Sequence, residues 1–480
     1  MAGLFNALNA ARTSLEVNQK SIEIIGNNIS NVNTEGYSRQ QAVLETYPAT
    51  NFGDFFIGQG VKVSDVSRLH DVYIEKEIQD KSVDYGYQDA LTRPLSELEA
   101  VFSVTDDNIS TDIDNFFDSL HELSANPSDL VQRNNVILQG NVLATSFNNV
   151  MKDLDSIKEN LNYSLTSKVD TVNSQLAEVA DLNDRIHQIE IHGQTANSAR
   201  DQRDMVIKSL AVTIGAETYE TENGMVSVQL PGGLPLVEGN MAMTLSSVSN
   251  GSNVELQLHA GGVTRELSEK TLGGQFKGIV EMRDSFIPDL EADMDKLAYE
   301  VSTQFNLQHA QGGALDSTTG NLFFSTPPNY VASPPGPSPT ATEYADAARQ
   351  ISVVITDPRK IAAGEAPAEV GDSIAIGDNR NALALANIGA DYLIDGIDNF
   401  NSLYGKITAR VGVESNQNQL SLKGAEDALI QLENFRDGLV GVSLEEEMIS
   451  LIQFQRGFES SAKFLSTVDE MMTTILAIKR

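Results

Sequence analysis

His121 and Glu122 open the stretch HELSA, which starts like the zinc-binding helix of a metalloprotease. That chemistry needs a second histidine four residues on, so that two imidazoles share one helix face. The position holds Ala125. His187 and His192 stand five apart, a poor spacing for two ligands on one face. Asp112, Asp114 and Asp118 in TDIDNFFDSLHE lack the glycine and the remaining oxygen ligands of a calcium loop. Gly405-Lys406 is followed by Ile407 rather than the hydroxyl residue of a phosphate loop. No GxSxG occurs, and without a single Cys there is no thiolate ligand, thiol nucleophile or disulfide. Asp201, Arg203 and Asp204 in RDQRD form a charge cluster that reads as structural ion pairing. The reading is therefore no catalytic residue, no metal site and no cofactor.

Charge and length point the same way. A formal net charge of -34 over 480 residues opposes nucleic-acid phosphates and anionic membrane surfaces. Aromatics make up 6% of the chain, with no Trp, which disfavours an aromatic ligand pocket. No run of about 18 apolar residues is present, so no membrane insertion is expected. The N-terminus has no continuous apolar core of a signal peptide, so export, if it occurs, is expected without a cleaved signal.

What the chain does have is helical seams. Leu4, Leu8, Ala11, Leu15, Asn18, Ile22, Ile25, Ile29 and Val32 alternate gaps of four and three, a heptad stripe with one polar position, Asn18. At the other end Leu444, Leu451, Phe458, Leu465 and Met472 are seven apart, with Phe454, Val468 and Ile475 as a second row. Gly457 reads only as a weak point of that helix. Each stripe needs a partner. The simplest is the other stripe, in a terminal coiled coil, with neighbouring copies covering what two helices leave bare.

Between the ends, residues 47–67 read as extended. Residues 69–103 read as helix interrupted near Pro94, then comes a short helix at about 110–124 and a periodic segment at about 129–191. Some 60 helical residues span about 90 Å, more rod than compact enzyme. From about 214 the period changes to two, and helix returns at about 276–310. TPPNYVASPPGPSP at 326–339 reads as linker, and ISVVITDP and SIAIGDN as strands of a second small insertion, expected to be dispensable for the helical core. The fold class is α+β: an elongated, mainly helical core with inserted β domains, closed by its own termini. The expected division is a terminal unit of 1–45 with 440–480, a helical core of 46–214 with 276–325 and 381–439, a β domain at 215–275, and the Pro-rich linker with its insertion at 326–380.

The segment NNISNVNTEGYSRQ, residues 27–40, resembles the Asn-rich stretch that follows the first helix of bacterial flagellar axial proteins. Its ending GYSRQ, with the blocks ARDQRDMVIKSLA, GGQFKGIVEMRDSF and LAYEVSTQFNLQHAQG, resembles the hook-associated protein 1 family within that group. SLEEEMISLIQFQRGFESSAKFLSTVDEMMTTIL resembles the matching C-terminal segment. Glu35 stands where the family often has Pro, leaving the turn to Gly36. The resemblance implies a structural subunit of the extracellular flagellum at the hook-filament junction, not an enzyme. It implies type III flagellar export and self-assembly in a ring or helical lattice. The implied partners are the hook protein, the second hook-associated junction protein and a cytoplasmic export chaperone at the C-terminal helix. The subunit interface is then expected at the two seams. Asn27, Asn28, Asn31, Asn33, Gly36, Tyr37 and Arg39 are expected in a loop that leaves the helix and touches neighbours. The alternatives are another axial protein, a rod or filament-side junction subunit, or an adhesin or enzyme housed in the β insertions.

Overall fold

A computed structural model describes residues 2–478, other than 53–54, 104–107, 222–223, 252, 331–340 and 367–374. The chain opens with α1 (Ala2–Ser30). Strands β1 (Gln40–Thr46) and β4 (Val61–Arg68) pair antiparallel, with a bulge at Val43/Leu44. Between them β2 (Thr50–Phe52) and β3 (Phe55–Ile57) form a small hairpin. Helices α2 (Val72–Val101), α3 (Ile109–Ala125), α4 (Leu130–Glu190) and α5 (Asn197–Ile214) follow. Asp71, Asn108 and Asp129 cap the first three of these, each side chain accepting from an otherwise orphaned backbone N–H. The 61 residues of α4 make a rod of about 90 Å, and a buried row from Val136 to Ile186 runs along it.

The expected interruption at Pro94 is absent. Helix α2 runs unbroken through it, with Leu91, Pro94, Leu95 and Leu98 buried. The proline forfeits one helical hydrogen bond, and packing of that face against the core offsets the loss.

Two antiparallel meanders fill residues 217–266. The first is β5 (Glu217–Glu220), β6 (Val226–Gln229), β7 (Pro235–Glu238) and β8 (Met241–Ala242). The second is β9 (Thr244–Asn250), β10 (Asn253–Ala260) and β11 (Val263–Glu266). Both lie along α4. Val228, Val237, Leu245, Leu256 and Leu258 join Leu165, Val172, Leu176 and Val179 in one continuous core, so the strands share the helical core rather than owning a separate one. Asn173 and Asn183 on α4 tie the sheets down: Asn173 bonds both backbone groups of Leu245, and Asn183 bonds both those of Val226.

Helices α6 (Gly274–Glu281) and α7 (Ile287–Ala310) continue one another through a π-helical turn at Met282–Phe286. The second β insertion is corrected by the structure. Among the described residues of 326–380 there are two short α-helices, α8 (Ala341–Tyr344) and α9 (Ala347–Gln350), a 3-10 turn at Pro358–Lys360, and one two-residue strand, β13 (Gly364–Glu365), paired with β12 (Gly312–Gly313). ISVVITDP makes one bridge, Val353 to Phe324, and otherwise lies irregular, with Ile351 and Ile355 buried in the core. The prolines of 331–340 and the start of SIAIGDN lie outside the described residues. Phe116, Phe117, Phe305, Phe323, Phe324 and Phe400 pack ring on ring at 4.9–6.5 Å, so these scarce aromatics serve as core.

Helices α10 (Arg380–Asn387) and α11 (Phe400–Val440) bring the chain back along α3 and α2. The last helix, α12 (Leu444–Ile478), packs along α1.

Candidate subunit interface

Helix α1 carries two faces. On the heptad seam Leu4, Leu8, Leu15, Asn18, Ile22 and Ile29 are half-buried and Ile25 is buried. A second row, Thr13, Val17, Ser21, Ile25 and Asn28, is buried throughout. Its spacing of four, four, four and three places it on one helix face. Gly60, just ahead of β4, sits against Thr13 and Ala10, and Asn28 bonds Gln40 of β1, so the strands and their approach cover this row. Sequence reading missed it because Thr, Ser and Asn do not register as a stripe; only the period of four hinted at it.

Against the seam, α12 is thinly covered. Its described side chains include two that are buried, Val468 at 3% exposure and Glu447 at 1%. Leu451, Phe454, Leu465 and Met472 are half-buried, while Leu444, Phe458 and Ile475 are exposed. Met448, Ile449, Ile452, Phe464, Met471 and Leu476 are also exposed. Midway along the pair the contact is small and polar. Ser14 Oγ lies 2.8 Å from Ser461 Oγ, and Asn18 Nδ2 donates to the Ser14 carbonyl at 2.7 Å. A Cβ on Gly457 would stand 2.6 Å from Asn18 Oδ1, so Gly457 makes room for the seam's one Asn.

The Asn-rich segment differs from expectation in where the helix ends. Asn27 and Asn28 lie inside α1, which continues to Ser30, and the turns span 31–36. Asn31 Nδ2 donates to the Asn27 carbonyl at 2.9 Å and to Asn27 Oδ1 at 2.6 Å, and its Oδ1 accepts from Thr34 Oγ1. The side chains thus take over hydrogen bonding where the helix stops. Asn33 is exposed. Gly36 turns the chain at φ +76°, pressed against Met205 of α5.

Asn28 is the hub. Its Nδ2 donates to the Gln40 carbonyl (2.9 Å) and to Glu447 Oε2 (3.1 Å). Its Oδ1 accepts from the Gln40 N–H (3.0 Å) and from Tyr37 Oη (2.8 Å). Arg39 Nε donates to Glu447 Oε1 at 2.6 Å, and another of its nitrogens to Glu446 Oε2 at 2.8 Å. Ser38 donates twice to Asp201, from its N–H and its hydroxyl. Arg68 at the end of β4 bridges Asp201 and Asp204, both at 2.7 Å. Burial, then the negative charges of Asp201 and Glu447, push the Tyr37 hydroxyl up to about 12, keeping it a donor. The segment Tyr37–Gln40 is therefore bonded to four helices at once: α1, the first turn of α12, α5 and, through the Arg39 N–H, the last residue of α11. In RDQRD, Asp201 and Asp204 pair with Arg68, while Arg203 donates to Asn183 Oδ1 and the Gly224 carbonyl. Glu447 was not singled out in the sequence because an acidic residue in a first helical turn is ordinary.

Three family models match in chain order. Residues 6–37 match the flagella basal body rod protein model, 95–324 the flagellar hook-associated protein FlgK helical domain, and 439–478 the flagellar basal body rod FlgEFG protein C-terminal model. The flagellar hook-associated protein 1 of Bacillus subtilis is 26% identical over 99% of this chain and 98% of its own. The chain belongs to the flagellar hook-associated protein 1 family. Another relative of that name, from Escherichia coli, is 24% identical over 98% of this chain and 99% of its own. Among solved structures, the flagellar hook junction protein FlgK from Burkholderia pseudomallei superposes with a TM-score of 0.66 at 17% identity. That likeness covers 77% of this chain and all of the other, and it shows that the family fold, helical core with inserted sheets, is present here.

Proposed function

We propose that the chain is a structural junction subunit joining the flagellar hook to the filament, acting by assembly rather than catalysis. The carrying observation is the α1–α12 pair. It is tied together by Asn28, Arg39 and Glu447 and docked on α5 of the core through Ser38 and Asp201, while α12 keeps nearly all its large apolar side chains in contact with solvent. Exposed stripes of this length on two adjacent helices are unfavourable in an isolated molecule at a charge of -34, and favourable where copies pack side by side.

In this reading the terminal unit, 1–45 with 440–480, builds the inner tube of a ring or helical lattice. The seam residues Leu4 to Ile29 and Leu444 to Ile475 supply contacts within and between copies. The Tyr37–Gln40 segment sets the angle between that tube and the core. The hook protein meets one end of the ring and the second hook-associated junction protein the other. An export chaperone shields the bare face of α12 before secretion, which proceeds by type III flagellar export.

Immunogold labelling of purified flagella tests the location. Label in a single band at the distal end of the hook is the expected result. Label along the filament, or in the rod, would replace this reading by another axial role.

A further inference from the structure

Two apolar features of the chain are uncovered and complementary. The first is the β2–β3 hairpin. Phe55 and Ile57 lie on one face and Phe56 on the other, by strand alternation, and Phe55 and Phe56 are 73% and 76% exposed. A two-stranded hairpin with bare rings is at best marginal in water. The second is a recess of about 130 Å³ at the open end of the α1–α12 seam, lined by Leu4, Phe5, Met472, Ile475 and Leu476 alone. It has no polar lining atom, and Phe5, Ile475 and Leu476 around it are exposed.

We infer that Phe55, with Ile57 beside it, inserts into the Leu4–Phe5–Met472–Ile475–Leu476 recess of a neighbouring copy. This rests on the assembly reading above and names one contact within it. The occupant is a second copy for three reasons. The knob and the hole are different surfaces of one chain, so the contact is heterologous and repeats into a ring or helix rather than closing as a dimer. The recess is the continuation of the α1–α12 seam already assigned to assembly. Charge also permits it. Residues 2–11 and 471–478 contain no charged side chain, and 46–61 contain Asp54 alone, in a chain where copies otherwise repel at -34. Gly60 anchors the hairpin's base against Ala10 and Thr13 of its own α1, fixing its position relative to the seam.

Because the chain lacks Cys, introduced thiols read this contact directly. The double variant Phe55→Cys/Ile475→Cys, oxidised in isolated hook-junction particles, should give a ladder of linked copies, which neither single variant gives. Ser14→Cys/Ser461→Cys, across the seam of one copy, is the positive control for oxidation and should bridge within a chain. In a second measurement, Phe55→Asp should melt at the wild-type temperature as a monomer yet fall at least tenfold in abundance in the particles. No ladder, or a bridge only within one chain, in particles that contain the protein would overturn the contact, as would wild-type incorporation of Phe55→Asp. Absence of the unsubstituted chain from such particles would overturn the assembly reading itself, and this contact with it.

Discussion

Asn28 uses both amide hydrogens and both carbonyl lone pairs, and its exposure is 1%. No other side chain has that shape with two donors and two acceptors on adjacent atoms except the longer Gln. Asn28→Asp keeps the shape and loses both donors. The Gln40 carbonyl and Glu447 would then face a carboxylate. Each buried polar group left unpaired costs about 1–3 kcal/mol, so the contact of α1 with β1 and α12 should weaken by at least about 2 kcal/mol. Exchange of the Gln40 amide measures this; unchanged protection would contradict it. Gly457 and Asn18 form the second residue-scale case. Ala in place of Gly ordinarily stabilises a helix interior by about 1 kcal/mol. Here its Cβ would meet Asn18 Oδ1, so Gly457→Ala should destabilise the α1–α12 pair. In an Asn18→Ala background the same change should stabilise by about 1 kcal/mol. A double-mutant cycle on thermal unfolding checks the reversal of sign.

At the scale of elements, the segment after α7 is stitched into the helices rather than hung from them. Arg133, buried in α4, donates to the carbonyls of Pro127 (2.7 Å) and Ile361 (2.6 Å), and burial lowers its guanidinium to about 10. Arg349 on α9 pairs with Asp155 of α4 and Glu291 of α7. Ile351, Ile355, Ile361 and Ala363 fill the core. Deleting 341–365 therefore leaves a cavity and a buried Arg133 that keeps its Pro127 bond but loses its Ile361 partner. Loss of cooperative unfolding in calorimetry is the expected result, against the dispensability that its composition suggested. The same segment holds His309 of α7, which is fully buried. Its Nδ1–H donates to the Asn321 carbonyl at 2.7 Å, and its Nε2 accepts from the Ala362 N–H at 3.0 Å. Burial lowers its pKa from 6.5 to about 4. The unfolded chain binds this proton first, so stability is full above about pH 6.5 and falls as pH drops towards 4. At about 1.4 kcal/mol per pH unit the loss approaches about 3 kcal/mol. His309→Gln should flatten that part of the pH-stability curve, as urea titrations at pH 7 and pH 4.5 would show.

For the whole molecule, stability is unevenly distributed. The core around α4 contains dozens of buried side chains, whereas α12 buries Glu447 and Val468. Nothing covalent ties the ends. The terminal pair should open at far lower free energy than the core. In a verified monomer, amides of 2–30 and 444–478 should exchange quickly and those of 130–310 slowly. In isolated junction particles the ends should become protected, because neighbouring copies then supply apolar contacts that offset the ordering entropy. Equal protection of ends and core in the monomer would show that the two helices pair stably before assembly.

The residues by themselves determined what depends on local periodicity and turn chemistry. The heptad gaps of α1 and α12, the periodic segment of α4 ending near 191 and the change to period two near 214 are all short-range signals, and the motif segments at both ends named the family. What the tertiary structure decided is long-range. Pro94 stays in a helix because the core holds that face. ISVVITDP has strand propensity but no neighbouring strand to extend, and its isoleucines instead fill core space, Ile351 beside Asn148 of α4. Asn28, Arg39 and Glu447 meet across more than 400 residues of sequence. A polar side chain's value there comes from partners whose positions no local pattern encodes, so Asn28 reads as a helix breaker in the sequence and as a fully bonded helical residue in the fold.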